Sequence, residues 1–399
     1  MKIVEIPNEV REAFEPFREV FSRPQFKHFR RLVLGLILPL AKNKTAQGIA
    51  EIFSDSPDRS CLSRFLERAP WSVEEALNRA LAALYRRLPR AKGQLIYLIL
   101  DDSENAKTGK KIAGAGWFHD SLGKKGLIFG HNFVLALAKV GGLCFPVGIR
   151  LYLKAEFCAA HGLAFRTKNE LAAELIARFQ PPSPGPVLVL FDGWYLNETV
   201  VGAVAARGFS WVSRMKSNRS VVIEGRRWSG EQFADTLGAA ELRETGFTPR
   251  SHDFPVIGCV RIGQLKKLGE VALVFGCNEK GAWQIFASNL REGSLEAILS
   301  GYDQRWEIEC CFRESKQHLG LGESQARLLR CVVIHLHGVM IAWILLATLK
   351  LRHGLTDGTV GELCRWVQEQ VERGQIRFIQ RHGRNRAERK KAEALLLAA

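Results

Sequence analysis

Residues 94–103 read QLIYLILDDS and residues 187–193 read VLVLFDG. Each is a continuous apolar run of strand length that stops at aspartate, Asp101-Asp102 in the first and Asp192 in the second. A run without polar alternation fits a strand buried on both faces, the kind found in sheets covered by helices. HNFVLALAKVGG (131–142) and CFPVGIRLYL (144–153) read as the next strands of a meander. NELAAELIARF (169–179) spaces its apolar residues at helical intervals, and PPSPGP (181–186) then breaks the chain. FSWVSRM (209–215) continues the alternation after another helix. The pattern predicts an α/β core whose two central strands end in acid.

Around that core the texture changes three times. Residues 1–90 read as helical, with helix starts at Asn43-Lys44-Thr45 and Asp58-Arg59-Ser60 joined by the polar turn SDSPDRS. Such a pair resembles a helix-turn-helix unit that would present Ser60, Ser63 and Arg64 to DNA, and a plain helical bundle fits the same residues. Residues 217–279 hold short β-like pieces (SVVIEG, VIGCVRIG, EVALVFG) between Gly and charged turns, which predicts a β-rich insertion. The core resumes at WQIFASN (283–289). From 351 the chain turns basic; RFIQRHGRNRAERKKAEALLLAA has seven Lys or Arg against two Glu, the pattern of an exposed basic helix or arm.

The 399 residues carry 57 cations against 41 anions, a formal net charge of +16, and 47% hydrophobic content. These numbers suit a soluble protein with two or three domains and a polyanionic partner. Nine cysteines make no CxxC pair or metal-finger spacing, and no secretory segment opens the sequence, so a reducing cytoplasm is expected. The apolar run 331–349 is long enough to suggest a membrane span, but two histidines and a glycine interrupt it, and a buried core helix fits better.

GYDQRWEIECCFRESKQHLG (301–320) sets Tyr302, Arg305, Glu309 and Lys316 at steps of three, four and seven. On one continuous helix they share a sector of roughly 60°, a lone carboxylate inside a cationic row, with Asp303, Glu307 and Glu314 pointing elsewhere. Three hard oxygen ligands, Asp101, Asp192 and Glu309, suit Mg²⁺, and two such ions can activate a nucleophile and stabilise a leaving oxygen in phosphodiester chemistry.

These residues resemble the DDE transposases of bacterial insertion sequences, in the branch marked by Y-x2-R-x3-E-x6-K, which Tyr302, Arg305, Glu309 and Lys316 match in full. The resemblance spans roughly residues 25–350. It implies an RNase H-like core in two parts (91–216 and 280–350) with a β-rich insertion (217–279) ahead of the glutamate helix. The N-terminal helices (1–90) are expected to form a DNA-binding domain, and the basic helical tail (351–399) and parts of the insertion match nothing in the family. The family's first aspartate sits in a D-x-[ST] strand end, which assigns Asp101, with Asp102 as competitor should the strand alternation reverse. The implied catalytic and metal-binding set is Asp101, Asp192 and Glu309, with two Mg²⁺ ions and Mn²⁺ as substitute. The residues assigned to DNA are Tyr302, Arg305, Arg313, Lys316, Arg214, Lys216 and Arg64. The resemblance further implies Mg²⁺-dependent cleavage of double-stranded DNA at transposon ends, strand transfer into target DNA and a homodimer on paired ends. Trp228 and Trp283 are candidates for stacking on a flipped base, and His131 is the histidine closest to suspicion among His119, His131, His335 and His337. An RNase H-like nuclease that cuts without joining, and a domesticated DNA-binding protein that does not cut, are the alternatives.

Overall fold

Strand β5 (Val187–Phe191) is buried at every position, as its unbroken apolar run requires. It pairs in parallel with β1 (Ile96–Ala106) on one side and β6 (Ser210–Met215) on the other. The structure, a computed structural model, describes residues 2–40, 43–54, 60–89, 93–109, 111–119, 126–250, 256–277, 281–355, 358–382, 390 and 393. Among them β1 also pairs antiparallel with β3 (Leu127–Val140), which is flanked by β2 (Gly116–His119) and β4 (Leu143–Tyr152).

The strands of the 217–279 stretch continue this same sheet. From β6 it passes through β12 (Trp283–Ser288), β11 (Gly269–Cys277) and β10 (Ile257–Leu265) to β7 (Ser220–Ile223) and β8 (Arg226–Ser229), with β9 (Arg243–Glu244) on β10. The result is a mixed α/β fold on one large, mostly antiparallel sheet.

Helices cover it. The N-terminal set is α1 (Asn8–Arg11), α2 (Arg23–Ile37), α3 (Ala46–Glu51), α4 (Ser60–Arg68) and α5 (Val73–Tyr85). Between strands lie α6 (Ala155–Ala160), α7 (Lys168–Arg178), α8 (Glu198–Ala206) and α9 (Gly230–Ala234). The last four are α10 (Leu295–Asp303), α11 (Trp306–His318), α12 (Leu329–His353) and α13 (Val360–His382). Helix α3 starts where the sequence placed it, Thr45 accepting the Gly48 N–H at 3.2 Å. Most of the turn SDSPDRS, and the helix start at Asp58-Arg59, lie outside the described residues, as does most of the tail beyond His382. Helix α12 contains the long apolar run and is almost wholly buried, packed on α2, α5 and β4. All nine cysteines are free.

One expectation fails here. Strand β1 does not end at Leu100 but runs on to Ala106, because β3 continues beside it, Asp101 opposite Leu135 and Ala106 opposite Gly130. Strand β5 stops sooner, its last pair with β1 being Leu190 opposite Ile99. That register carried two residues further sets Asp192 level with Asp101, where the parallel pair parts. The two acids therefore share the rim for a reason the apolar runs alone did not give.

The far end of β1 anchors the segment after α11. Asn105 Nδ2 donates to the Leu321 carbonyl at 2.9 Å, and Lys107 Nζ donates to the carbonyls of Gly322 and Ser324 at 2.6 Å each. Lys44 Nζ donates to the carbonyls of Leu36 and His318. Gly320, at φ +69°, takes a left-handed turn with the Lys44 side chain against it, a place with no room for a Cβ. Replacing Asn105 by Ala leaves a buried carbonyl without its donor and should cost about 1–3 kcal/mol. Urea denaturation with an unchanged m-value would record it; a cost below about 0.5 kcal/mol would mean that Asn105 does not hold this segment.

Candidate active site

Successive side chains on a strand face opposite ways, and β1 uses both faces. Asp101, Ser103 and Asn105, with Lys107 just beyond, all meet α11 or the segment after it. Arg305 donates to Asp101 Oδ2 at 2.7 Å, Lys316 Nζ to Ser103 Oγ at 2.9 Å, and Asn105 and Lys107 hold the carbonyls described above. Asp102 looks the other way, toward α7. Alternation thus puts Asp101, and not Asp102, on the face that meets Arg305 and Glu309.

Arg305 is the centre of the cluster. One terminal nitrogen holds Asp101 and the other holds Glu309, one helical turn further on. The Arg305 and Asp101 side chains are about one-fifth exposed and Glu309 one-third. Asp192 completes the group: its Oδ1 accepts the Trp194 N–H at 2.9 Å, and its charge acts on both Asp101 and Arg305. Burial pushes Asp101 up to about 7; Arg305 opposes the shift, and the charges of Asp192 and Asp102 add to it. Burial raises Asp192 as well, against its backbone hydrogen bond and Arg305. The acids outnumber the cation among them, so the cluster has an affinity for further positive charge.

The helix that carries the signature is not continuous. The backbone N–H groups of Gln304, Arg305, Glu307 and Ile308 each bond three residues back, a tightened 3₁₀-like turn between α10 and α11. Tyr302 therefore lies in the last turn of α10 and packs against Phe286, ring centroids 4.9 Å apart, while Arg305 caps α11. Burial pushes the Tyr302 hydroxyl up to about 12. Arg214, Phe247, Phe286, Tyr302, Arg305 and Trp306 line a cleft at this seam. Asp303 and Glu307 do point elsewhere, both to Arg250 and Glu307 also to Lys139 at 2.7 Å, and Glu314 accepts the Val360 N–H.

The remaining assigned residues divide. Arg214 on β6 and Lys216 just beyond its end are exposed, and Lys216 Nζ lies 5.7 Å from the ring centroid of Trp194, itself 59% exposed. Lys316 is turned inward onto β1 rather than outward, and burial lowers its pKa. Arg313 and Arg64 are exposed, each against a cysteine sulfur one turn earlier. Trp228 packs edge-on against Phe233, and Trp283 is part-buried opposite Cys277. His131 is buried against the Ala113 carbonyl, His335 against that of Gly320 and His337 against that of Val333, while His119 is exposed at the end of β2. None of the three buried histidines bonds to the acids. Sequence reasoning missed Trp194, Tyr195 and Lys168, although FDGWY sets two aromatic residues directly behind the second acid.

Among the described residues, no three His, Cys, Asp or Glu side chains stand close enough to hold a metal ion between them as placed; the Arg305 guanidinium fills the gap between Asp101 and Glu309. The donor set still fits a hard dication. Asp101 and Asp192 are desolvated, raised in pKa and short of counter-charge, and Glu309 is tied to the same cation.

A family profile described as DDE superfamily endonuclease matches residues 16–232, more than half of the chain, and one described as Transposase DDE domain matches residues 160–345. The chain belongs to the DDE superfamily of endonucleases and is a DDE transposase, a metal-dependent enzyme that cleaves DNA. Among solved structures it is similar to a piggyBac transposase synaptic complex with hairpin DNA, determined by cryo-EM, at 10% identity and a TM-score of 0.49, over 99% of this chain and 82% of that one. No curated protein matches it.

An acid whose folded pKa is raised binds its proton more tightly folded than unfolded, so stability falls as pH climbs from about 4, the unfolded value, through about 7. Metal-free Asp101→Asn should therefore melt above wild type at pH 8, with the difference shrinking toward pH 4. Thermal denaturation in EDTA across that range checks this; a pH-independent difference would contradict the buried-charge account.

Proposed function

We propose that this chain is a cut-and-paste transposase of the bacterial insertion-sequence branch marked by Y-x2-R-x3-E-x6-K, working in the cytoplasm as a homodimer on double-stranded transposon ends and target DNA. One observation carries the reading: a single arginine joins Asp101 to Glu309, 204 residues from itself and four residues from itself respectively, beside Asp192. An RNase H-like core is supported by the strand order β4-β3-β1-β5-β6, antiparallel across the first three and parallel across the last three.

In this reading Asp101, Asp192 and Glu309 hold Mg²⁺, two ions with Mn²⁺ able to substitute. Metal bound there would activate water, then the freed 3′-hydroxyl, and stabilise the leaving oxygen. The chain's own groups do the rest. Asp101 and Asp192 are desolvated, so a dication held between them would favour their charged forms, and that charge would act at greater strength than in water. Arg305, released from the acids, is within side-chain reach of a phosphate at the site. Arg214, Lys216 and the Trp194 ring form an exposed basic and aromatic rim beside Asp192, suited to backbone phosphates and a base or sugar face.

The test is a cleavage and joining assay on DNA bearing the element's own flanking repeats. Alanine at Asp101, Asp192 or Glu309 should abolish nicking, with DNA affinity changed less than about threefold, roughly 0.7 kcal/mol. Full activity in any of the three would remove the assignment, and cleavage without joining would identify a nuclease. Arg214→Ala and Lys216→Ala should each lower the slope of log affinity against log salt by about one. An unchanged slope would place the DNA elsewhere.

A further inference from the structure

Two consecutive aspartates sit on β1, and only the first faces Glu309. The second is fully occupied on the other face of the strand. Asp102 Oδ1 accepts the Tyr195 hydroxyl at 2.8 Å, and Oδ2 accepts Lys168 Nζ at 2.5 Å and Asn132 Nδ2 at 3.1 Å. Tyr195 is completely buried and Asn132 is 3% exposed. Tyr195 also belongs to the turn that presents the second acid, since its backbone N–H donates to the Asp192 carbonyl at 3.1 Å. One residue, through its backbone N–H and its hydroxyl, thus links the backbone of Asp192 to the neighbour of Asp101.

We infer that Asp102 and Tyr195 are positioning residues that set the spacing of Asp101 and Asp192 for metal. The inference rests on the proposed role of those two acids. Strand pairing brings the two acids level but does not clamp them, because the last parallel pair between β1 and β5 is Ile99 with Leu190, short of both. Beyond that pair no described ladder bond joins the two strands, and the Asp102–Tyr195 hydrogen bond closes the gap from the opposite face. Lys168, at the start of α7, has a second effect. Its ammonium pairs with Asp102 at 2.5 Å and holds that carboxylate on the face away from Arg305 and Glu309. Partners that fix the direction of metal-holding carboxylates commonly govern affinity by 10–100-fold.

Mn²⁺ binding to the full-length, DNA-free protein, followed by electron paramagnetic resonance, tests this without a turnover assay. Tyr195→Phe keeps the ring and loses one hydrogen bond. It should weaken Mn²⁺ by about tenfold or more, with DNA affinity unchanged and nicking partly restored at saturating Mn²⁺. A role in stability alone would lower the melting temperature and leave the Mn²⁺ titration where it was, and that result overturns the inference. Lys168→Gln serves if Tyr195→Phe does not fold. It leaves the Asp102 charge uncompensated and should also alter Mn²⁺ affinity, and an unmoved titration would count against the inference equally. Asp192→Ala is the control. If it binds Mn²⁺ as wild type does, the metal role of the aspartates has failed; if it loses Mn²⁺ while Tyr195→Phe does not, only the positioning role has failed.

Discussion

The guanidinium of Arg305 is the interaction on which the site depends. Bringing Asp101, Asp192 and Glu309 to one place removes two carboxylates from water, which is costly without a partner. A fork of two donors offsets that cost in the metal-free protein and points Asp101 and Glu309 at a common position. The same arrangement leaves negative charge in excess, so a stronger cation has somewhere to go.

The rest of the fold keeps that fork in register. Ser103, Asn105 and Lys107 follow Asp101 along one face of β1 and hold α11 and the segment after it in sequence. Lys44 and His335 hold the same segment from the helical side. Helix α12, apolar for most of its length, ties the N-terminal helices to β4 and so to the sheet.

Much of this was legible in the sequence. The apolar runs before Asp101 and Asp192 announced the central strands, and the 305–316 spacing announced the face of α11. The length of β1 was not legible, because DDSENA has the composition of a turn, and only pairing with β3 makes it a strand. The inward direction of Lys316 was hidden for the same reason: its partners lie on that unforeseen extension. The seam between α10 and α11 was masked because its residues keep helical dihedral angles while shifting to three-residue bonds. The aspartate pair could be named but not resolved until the strand's alternation was fixed at both ends.

The proposed convergence of the three acids on one metal-holding position is most directly tested by loading the protein with Fe²⁺ and generating hydroxyl radicals locally with ascorbate and peroxide. Backbone scission should cluster around residues 101, 192 and 309 in one protein, and disappear at all three in Asp192→Ala. Scission at other positions, or a pattern that Asp192→Ala leaves intact, would contradict the account.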